Sequence, residues 1–132
     1  MATLAHELHD LVLQMDRSAE ERLRPFGLGY RRYVALVVIG EHPGLAGRDL
    51  AGALQVTEAA VSKMVSALVA DGLVVAHQQA GRRRALVLTD AGRRVLEAAT
   101  AALGDSFDRC VRECGIDPVE LARDIRRIRD AL

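Results

Sequence analysis

Leu4, Leu8, Leu11, Val12 and Met15 recur at spacings of three and four, while His6, Glu7, His9, Asp10, Asp16 and Arg17 fill the positions between them. That period predicts an amphipathic first helix. Pro25, Gly27 and Gly29 then interrupt the chain, and a second apolar stretch runs from Tyr33 to Ile39 until His42, Pro43 and Gly44 close it. Val34, Val37 and Val38 are β-branched and would suit a strand, but the segment joins two helical patterns and a helix is predicted.

The stretch from Leu45 to Val74 is the most informative. Leu50, Ala51 and Leu54 make a short apolar face, Gln55 and Val56 a turn, and Thr57 is placed to cap a following helix. In that helix Val61, Met64, Val65 and Leu68 share one side, and Asp71 with Gly72 ends it. Two short helices joined by a tight turn predict a helix-turn-helix. Two β-type runs follow, Leu73 to Gln79 and Arg83 to Leu88, separated around Ala80 and Gly81 as in a hairpin. Thr89 and Asp90 offer caps for a long helix carrying Val95, Leu96, Ala99, Leu103, Phe107, Cys110 and Val111. Asp117 before Pro118 starts a last one, with an apolar stripe of Leu121, Ile125, Ile128 and Leu132.

A chain of 132 residues, 50% hydrophobic and 27% charged, has room for one domain of ordinary size and enough apolar surface to fold. The net charge is zero, which removes any overall attraction to nucleic acid or to a membrane surface. From Gly44 to Thr89, however, Arg48, Lys63, Arg82, Arg83 and Arg84 stand against Asp49, Glu58 and Asp71, so a small positive excess lies in the middle of the chain. No apolar run reaches the roughly 18 to 20 residues of a membrane span, and Met1 to Glu7 lacks the layout of a secretory signal. A cytoplasmic protein without membrane contact is expected.

Cys110 and Cys114, on one predicted helix, are a poor disulfide framework and fit a reducing compartment. Packing at the core or a dimer seam is their default reading, a redox pair the alternative. His6 and His9, with Glu7 and Asp10 nearby, lack a third ligand at a telling spacing and read as a solvated face rather than a metal site. No nucleophile stands with a base at motif spacing, and no glycine-rich phosphate loop follows a strand. Neither an enzyme nor a bound cofactor is expected.

The order helix, helix, helix-turn-helix, hairpin, long helices resembles the MarR family of bacterial transcription factors. The segment Phe26-Gly27-Leu28-Gly29-Tyr30-Arg31-Arg32-Tyr33-Val34-Ala35-Leu36 is similar to the family's approach to its second helix. Arg48 to Thr57, Val61-Ser62-Lys63-Met64-Val65, Leu68 and Asp71-Gly72-Leu73-Val74 are similar to its helix-turn-helix, and Leu88-Thr89-Asp90-Ala91-Gly92 to its strand-to-helix junction. The hairpin tip, Gln79 to Arg84, is shorter and lacks the Asp that the family sets before its arginine, for which either Arg82 or Arg84 stands here. Ala46 and Gly47 replace the usual polar cap. Tyr30 to Tyr33 looks like the hydroperoxide-sensing branch, but no Cys lies between Leu4 and Met15, so that activity is not carried over.

The resemblance implies a mainly α fold with a small β-hairpin: a winged helix-turn-helix over residues 44–89 flanked by helical dimerisation regions at 1–43 and 90–132. It implies a homodimeric, ligand-responsive repressor that reads a near-palindromic operator in double-stranded DNA. Its effector would be a small phenolic or other aromatic acid, held between the dimer helices and the reading domain.

On the recognition helix, the side opposite Val61 carries Ala59, Lys63, Ser66 and Ala70, with Ser62 at its flank and Thr57 and Glu58 at its start. Short and polar side chains suit close approach to base edges in a major groove that just admits one helix. Arg82, Arg83 and Arg84 at the hairpin tip suit phosphates or the adjacent minor groove. The candidate DNA-binding residues are therefore Thr57, Glu58, Ala59, Ser62, Lys63, Ser66, Arg82, Arg83 and Arg84. Two other readings stay open, a winged-helix regulator of a different family and a protein-interaction module without DNA binding, the latter favoured by the zero net charge and the single lysine on the reading face.

Overall fold

The structure is a computed structural model, and it describes residues 2–79, 81 and 84–132. Its helices are α1 (Leu4–Leu23), α2 (Tyr30–Glu41), α3 (Gly47–Leu54), α4 (Glu58–Ala70), α5 (Asp90–Leu103), α6 (Ser106–Glu113) and α7 (Pro118–Ala131), and its strands β1 (Leu45–Ala46), β2 (Val74–Gln78) and β3 (Arg84–Leu88). The strands form one antiparallel sheet in the order β1-β3-β2. The chain divides into two compact units, residues 1–102 and 103–132.

In the first unit, Thr3 caps α1 by accepting from the His6 amide, and a short 3-10 turn over Arg24–Phe26 ends at Gly27, whose φ of 67° suits a residue without Cβ. Helix α2 forms as the pattern predicts despite its three valines. Its Ala35, Leu36 and Ile39 are buried with Leu50 and Ala51 of α3, Val61, Val65 and Leu68 of α4, Val74 of β2 and Ala85, Leu86 and Leu88 of β3. Tertiary burial thus overrides the local strand preference of the valines. Truncating one of the fully buried leucines, such as Leu36 or Leu68, would cost about 2–5 kcal/mol. Strand β1 is too short to show in the hydrophobic pattern; it exists because Leu45 pairs with Leu86 and Ala46 with Ala85.

Along α1 the apolar stripe is exposed: Leu4 is 70% accessible, Val12 50%, and Leu8, Leu11, Leu13 and Met15 about two-fifths. The second unit has the same character. Asp117 caps α7 by accepting from the Val119 amide at 2.9 Å, with Pro118 in the first turn as the sequence suggests. Ile125 and Ile128 of that helix remain exposed, and Val111 of α6 is the unit's buried apolar residue.

The long helix predicted from Val95 to Val111 is two helices. Gly104 takes a φ of 60° between α5 and α6, a left-handed conformation that ends α5 in the manner of a helix C-terminus. Cys110 lies on α6 and Cys114 caps its end, and both are exposed, so neither packs in a core of this chain. Among the described residues no single helix is long and apolar enough to cross a membrane.

Candidate nucleic-acid interface

Helix α3 starts at Ala46 without a side-chain cap and ends at Gln55, whose φ of 57° is left-handed. A left-handed non-glycine residue costs roughly 1–2 kcal/mol, and local hydrogen bonds offset it: the Gln55 and Val56 amides donate to the Gly52 and Ala51 carbonyls at 3.3 and 3.1 Å. This turn bends the chain by 110° between α3 and α4, within the range of helix-turn-helix units. Thr57 then caps α4, its hydroxyl accepting from the Ala60 amide at 3.1 Å.

Burial sorts the faces of α4 as the pattern predicts. Val61, Val65 and Leu68 are buried and Met64 is half-buried, whereas Thr57, Glu58, Ala59, Ser62, Lys63, Ser66 and Ala70 are exposed. The exposed side holds small groups, two hydroxyls and one ammonium, and Glu58 sits in the first turn where a carboxylate complements the helix dipole. A flat, short-chained face on a helix anchored from behind by three aliphatic residues is suited to insertion in a groove.

Beside it stands the hairpin, in a register that pairs Val74 with Leu88 and Gln78 with Arg84. Arg84 therefore occupies the last rung before the tip, and its side chain is exposed. Arg82 and Arg83 lie outside the described residues. Within the hairpin the Gln78 side-chain amide donates to the Gly81 carbonyl at 3.0 Å. That bond ties the rung opposite Arg84 to the turn.

A junction fixes hairpin and α4 to the next helix. The Thr89 hydroxyl donates to the Gly72 carbonyl at 2.6 Å and accepts from the Gly92 amide at 2.9 Å, while the Thr89 amide donates to the Leu73 carbonyl at 3.0 Å. Gly92 is buried so closely on Leu73 that a Cβ there would collide with the Leu73 carbonyl oxygen. One threonine thus holds the exit of α4, the end of β3 and the start of α5 together. The Arg93 guanidinium, hydrogen-bonded to Asp90 at 2.7 Å, holds that carboxyl below the usual range.

The sequence patterns do not disclose a cavity of about 390 Å³ between α2, β3 and α5. Val37, Ile39, Val87, Leu88 and Leu96 give it an apolar floor, and Tyr33, Glu41, Arg93, Glu97 and Thr100 supply its polar groups. The hydroxyls of Tyr33 and Thr100, 2.9 Å apart, link α2 to α5 along its wall. No periodicity within a window of a dozen residues joins positions so distant in the chain. On α1, His6 pairs with Asp10 at 3.3 Å on an exposed face. Among the described residues no three potential ligands gather for a metal.

Residues 26–85 match the family model described as the MarR family. No curated protein sequence matches the chain. Among solved structures, MepR of Staphylococcus aureus in complex with DNA is 22% identical with a TM-score of 0.84, the match covering 99% of this chain and 96% of that one. A mutant MarR from E. coli complexed with operator DNA is 20% identical with a TM-score of 0.83, covering 98% and 93%. CouR from Rhodococcus jostii RHA1 bound to p-coumaroyl-CoA is 24% identical with a TM-score of 0.80, covering 96% and 88%. At these identities the likeness is one of fold, and it extends over nearly the whole chain.

Proposed function

We propose that the chain is a member of the MarR family, whose model its residues 26–85 match, and that it is a sequence-specific DNA-binding transcriptional regulator acting as a homodimer on a near-palindromic operator. The observation that carries this reading is the sorting of α4. Val61, Val65 and Leu68 are buried in the core, while the opposite side presents Ala59, Ser62, Lys63 and Ser66 to solvent next to the hairpin. Lys63 and Ser66 read base edges in the major groove. The orphan backbone amides of the helix start, at Thr57 and Glu58, meet a phosphate, and Arg82, Arg83 and Arg84 engage backbone or minor groove.

Residues 44–89 form the reading region, and 1–43 with 90–132 the dimerisation region. The exposed stripes of α1 and α7 support this division, because a chain this small seldom leaves two such stripes in water. Covering them across a two-fold axis spaces two copies of α4 about one helical turn of DNA apart. The regulator works in the cytoplasm, where operator DNA lies. Repression relieved by a small aromatic effector fits the cavity between α2, β3 and α5, as β3 both lines that cavity and carries Arg84. That CouR, a protein of the same fold, is bound to p-coumaroyl-CoA supports an effector with an aromatic part.

Selection of bound duplexes from a random pool tests the reading. A two-fold symmetric consensus is expected, with affinity that falls steeply with salt. Binding equal for all sequences, or none at low salt, would leave the protein-interaction module as the better description.

A further inference from the structure

We infer that the cavity between α2, β3 and α5 takes a small aromatic or alkyl cation in preference to an aromatic acid, an inference that deepens the effector role proposed above and rests on it for its regulatory meaning. The apolar floor, with buried Ile39 and Leu88, sets the body of the ligand. Its polar groups set the charge. Two carboxylates, Glu41 and Glu97, border the cavity, and among the described residues neither has an ion-pair partner.

Arg93, the cation among the described lining residues, is paired with an acid of its own helix: its guanidinium donates to the Asp90 carboxylate at 2.7 Å, which lowers the pKa of that carboxyl. With that pair counted as neutral, the charges left on the lining are those of Glu41 and Glu97, which disfavour a ligand carboxylate. Tyr33 adds an aromatic ring on the wall, and a ring face attracts ammonium groups through its quadrupole. The remaining polar groups, the Tyr33 and Thr100 hydroxyls, are bonded to each other and offer an acid no charged donor. A cationic head beside Glu41 and Glu97 with its apolar part on the floor is complementary to both carboxylates, whereas a ligand carboxylate would meet those two charges and share Arg93 with Asp90.

Titration calorimetry on the full-length protein without DNA, with benzyltriethylammonium and 4-tert-butylbenzoate as probes, tests this. The cation is expected to bind at least tenfold more tightly than the anion. Glu41→Gln with Glu97→Gln, which keeps the shape, should weaken the cation roughly tenfold per carboxylate removed and close the gap between the probes, as a charge pair some 6 Å apart near a protein surface and partly screened by water implies. Tyr33→Leu should weaken the cation further while sparing the anion. Equal or tighter binding of the anion, an unchanged cation affinity in the double variant, or no saturable binding of either probe would overturn the inference. Operator binding is measured separately, so a protein that prefers the cation but ignores DNA refutes the regulator and keeps the cavity, while one that binds operator and prefers the acid does the reverse.

Discussion

Replacing Thr89 by Val removes one oxygen and preserves the side-chain shape, so it isolates the junction that holds the α4 exit to α5. Two hydrogen bonds disappear: the one given to the Gly72 carbonyl and the one taken from the Gly92 amide. The second is a helix cap, whose loss costs about 0.5–2 kcal/mol. The first is a net contribution of about 0.5–1.5 kcal/mol, toward the low end because this bond is exposed and water can replace the hydroxyl. The amide bond from Thr89 to Leu73 is untouched. Together these predict a loss of roughly 2 kcal/mol, read in urea as a midpoint lowered by about 1 M at constant slope and constant protein concentration.

Thr89→Ser, which keeps the oxygen, should stay within about 0.5 kcal/mol of the parent. Gly92→Ala should be worse than either, because its methyl meets backbone that cannot turn aside, and a loss above about 3 kcal/mol is expected. If Thr89→Val unfolds at the parent's midpoint, or Thr89→Ser falls as far as Thr89→Val, the hydroxyl is not the tie. The same variants should bind operator less tightly at concentrations of urea that leave them folded, since the loosened segment is the one that orients α4.

Reading and anchoring should separate by mutation. Arg82→Ala with Arg84→Ala should weaken operator and random duplex together and flatten the salt dependence by about 0.9 for each phosphate no longer neutralised, whereas Lys63→Ala should cost roughly 1–3 kcal/mol on the operator and relax preference at one position per half-site; parental binding by both at all salt concentrations would remove α4 and the hairpin from the reading surface. Deleting residues 118–132 should yield a monomer or an aggregate with weak operator binding by light scattering and gel shift, and a soluble truncated dimer would contradict the dimer role of α7. Replacing Cys110 and Cys114 by Ser should leave operator binding as insensitive to mild peroxide as in the parent, and a parent that loses binding while the double variant keeps it would make the pair a switch. Because Arg93 lowers the Asp90 pKa on folding, that pair contributes stability above the ordinary carboxylate range and loses it as pH falls through the lowered value; Asp90→Asn should therefore be less stable than the parent at neutral pH and equal to it in acid, as urea curves at the two pH values will show.

What could be read from the sequence and what could not divides along a physical line. The α4 faces were legible because burial repeats every three to four residues and Val61, Val65 and Leu68 obey that repeat without exception, and Thr57 and Asp117 were legible as caps because each acts within three residues of itself. The break at Gly104 was not, since the apolar repeat runs on across it and only the backbone angle interrupts the helix. Strand β1 is two residues long, and its existence depends on partners some forty residues away. Thr89 reads as a cap from its neighbours, but its bond to Gly72 and the closeness of Gly92 to Leu73 depend on α5 returning to the α4 exit, which no local pattern encodes.

The cavity is the extreme case. Its charge follows from Glu41 on one helix, Glu97 on another and the capture of Arg93 by Asp90, and in the sequence these four are ordinary members of a chain with equal numbers of acids and bases. Local periodicity therefore identifies the helix proposed to read DNA, while the proposed preference of the cavity rests on groups that only the tertiary fold brings together. Substitutions at Glu41 or Glu97 should accordingly change the proposed ligand preference without touching α4 or the hairpin, so that gel shift on the operator stays at the parent value while calorimetry on the cation changes.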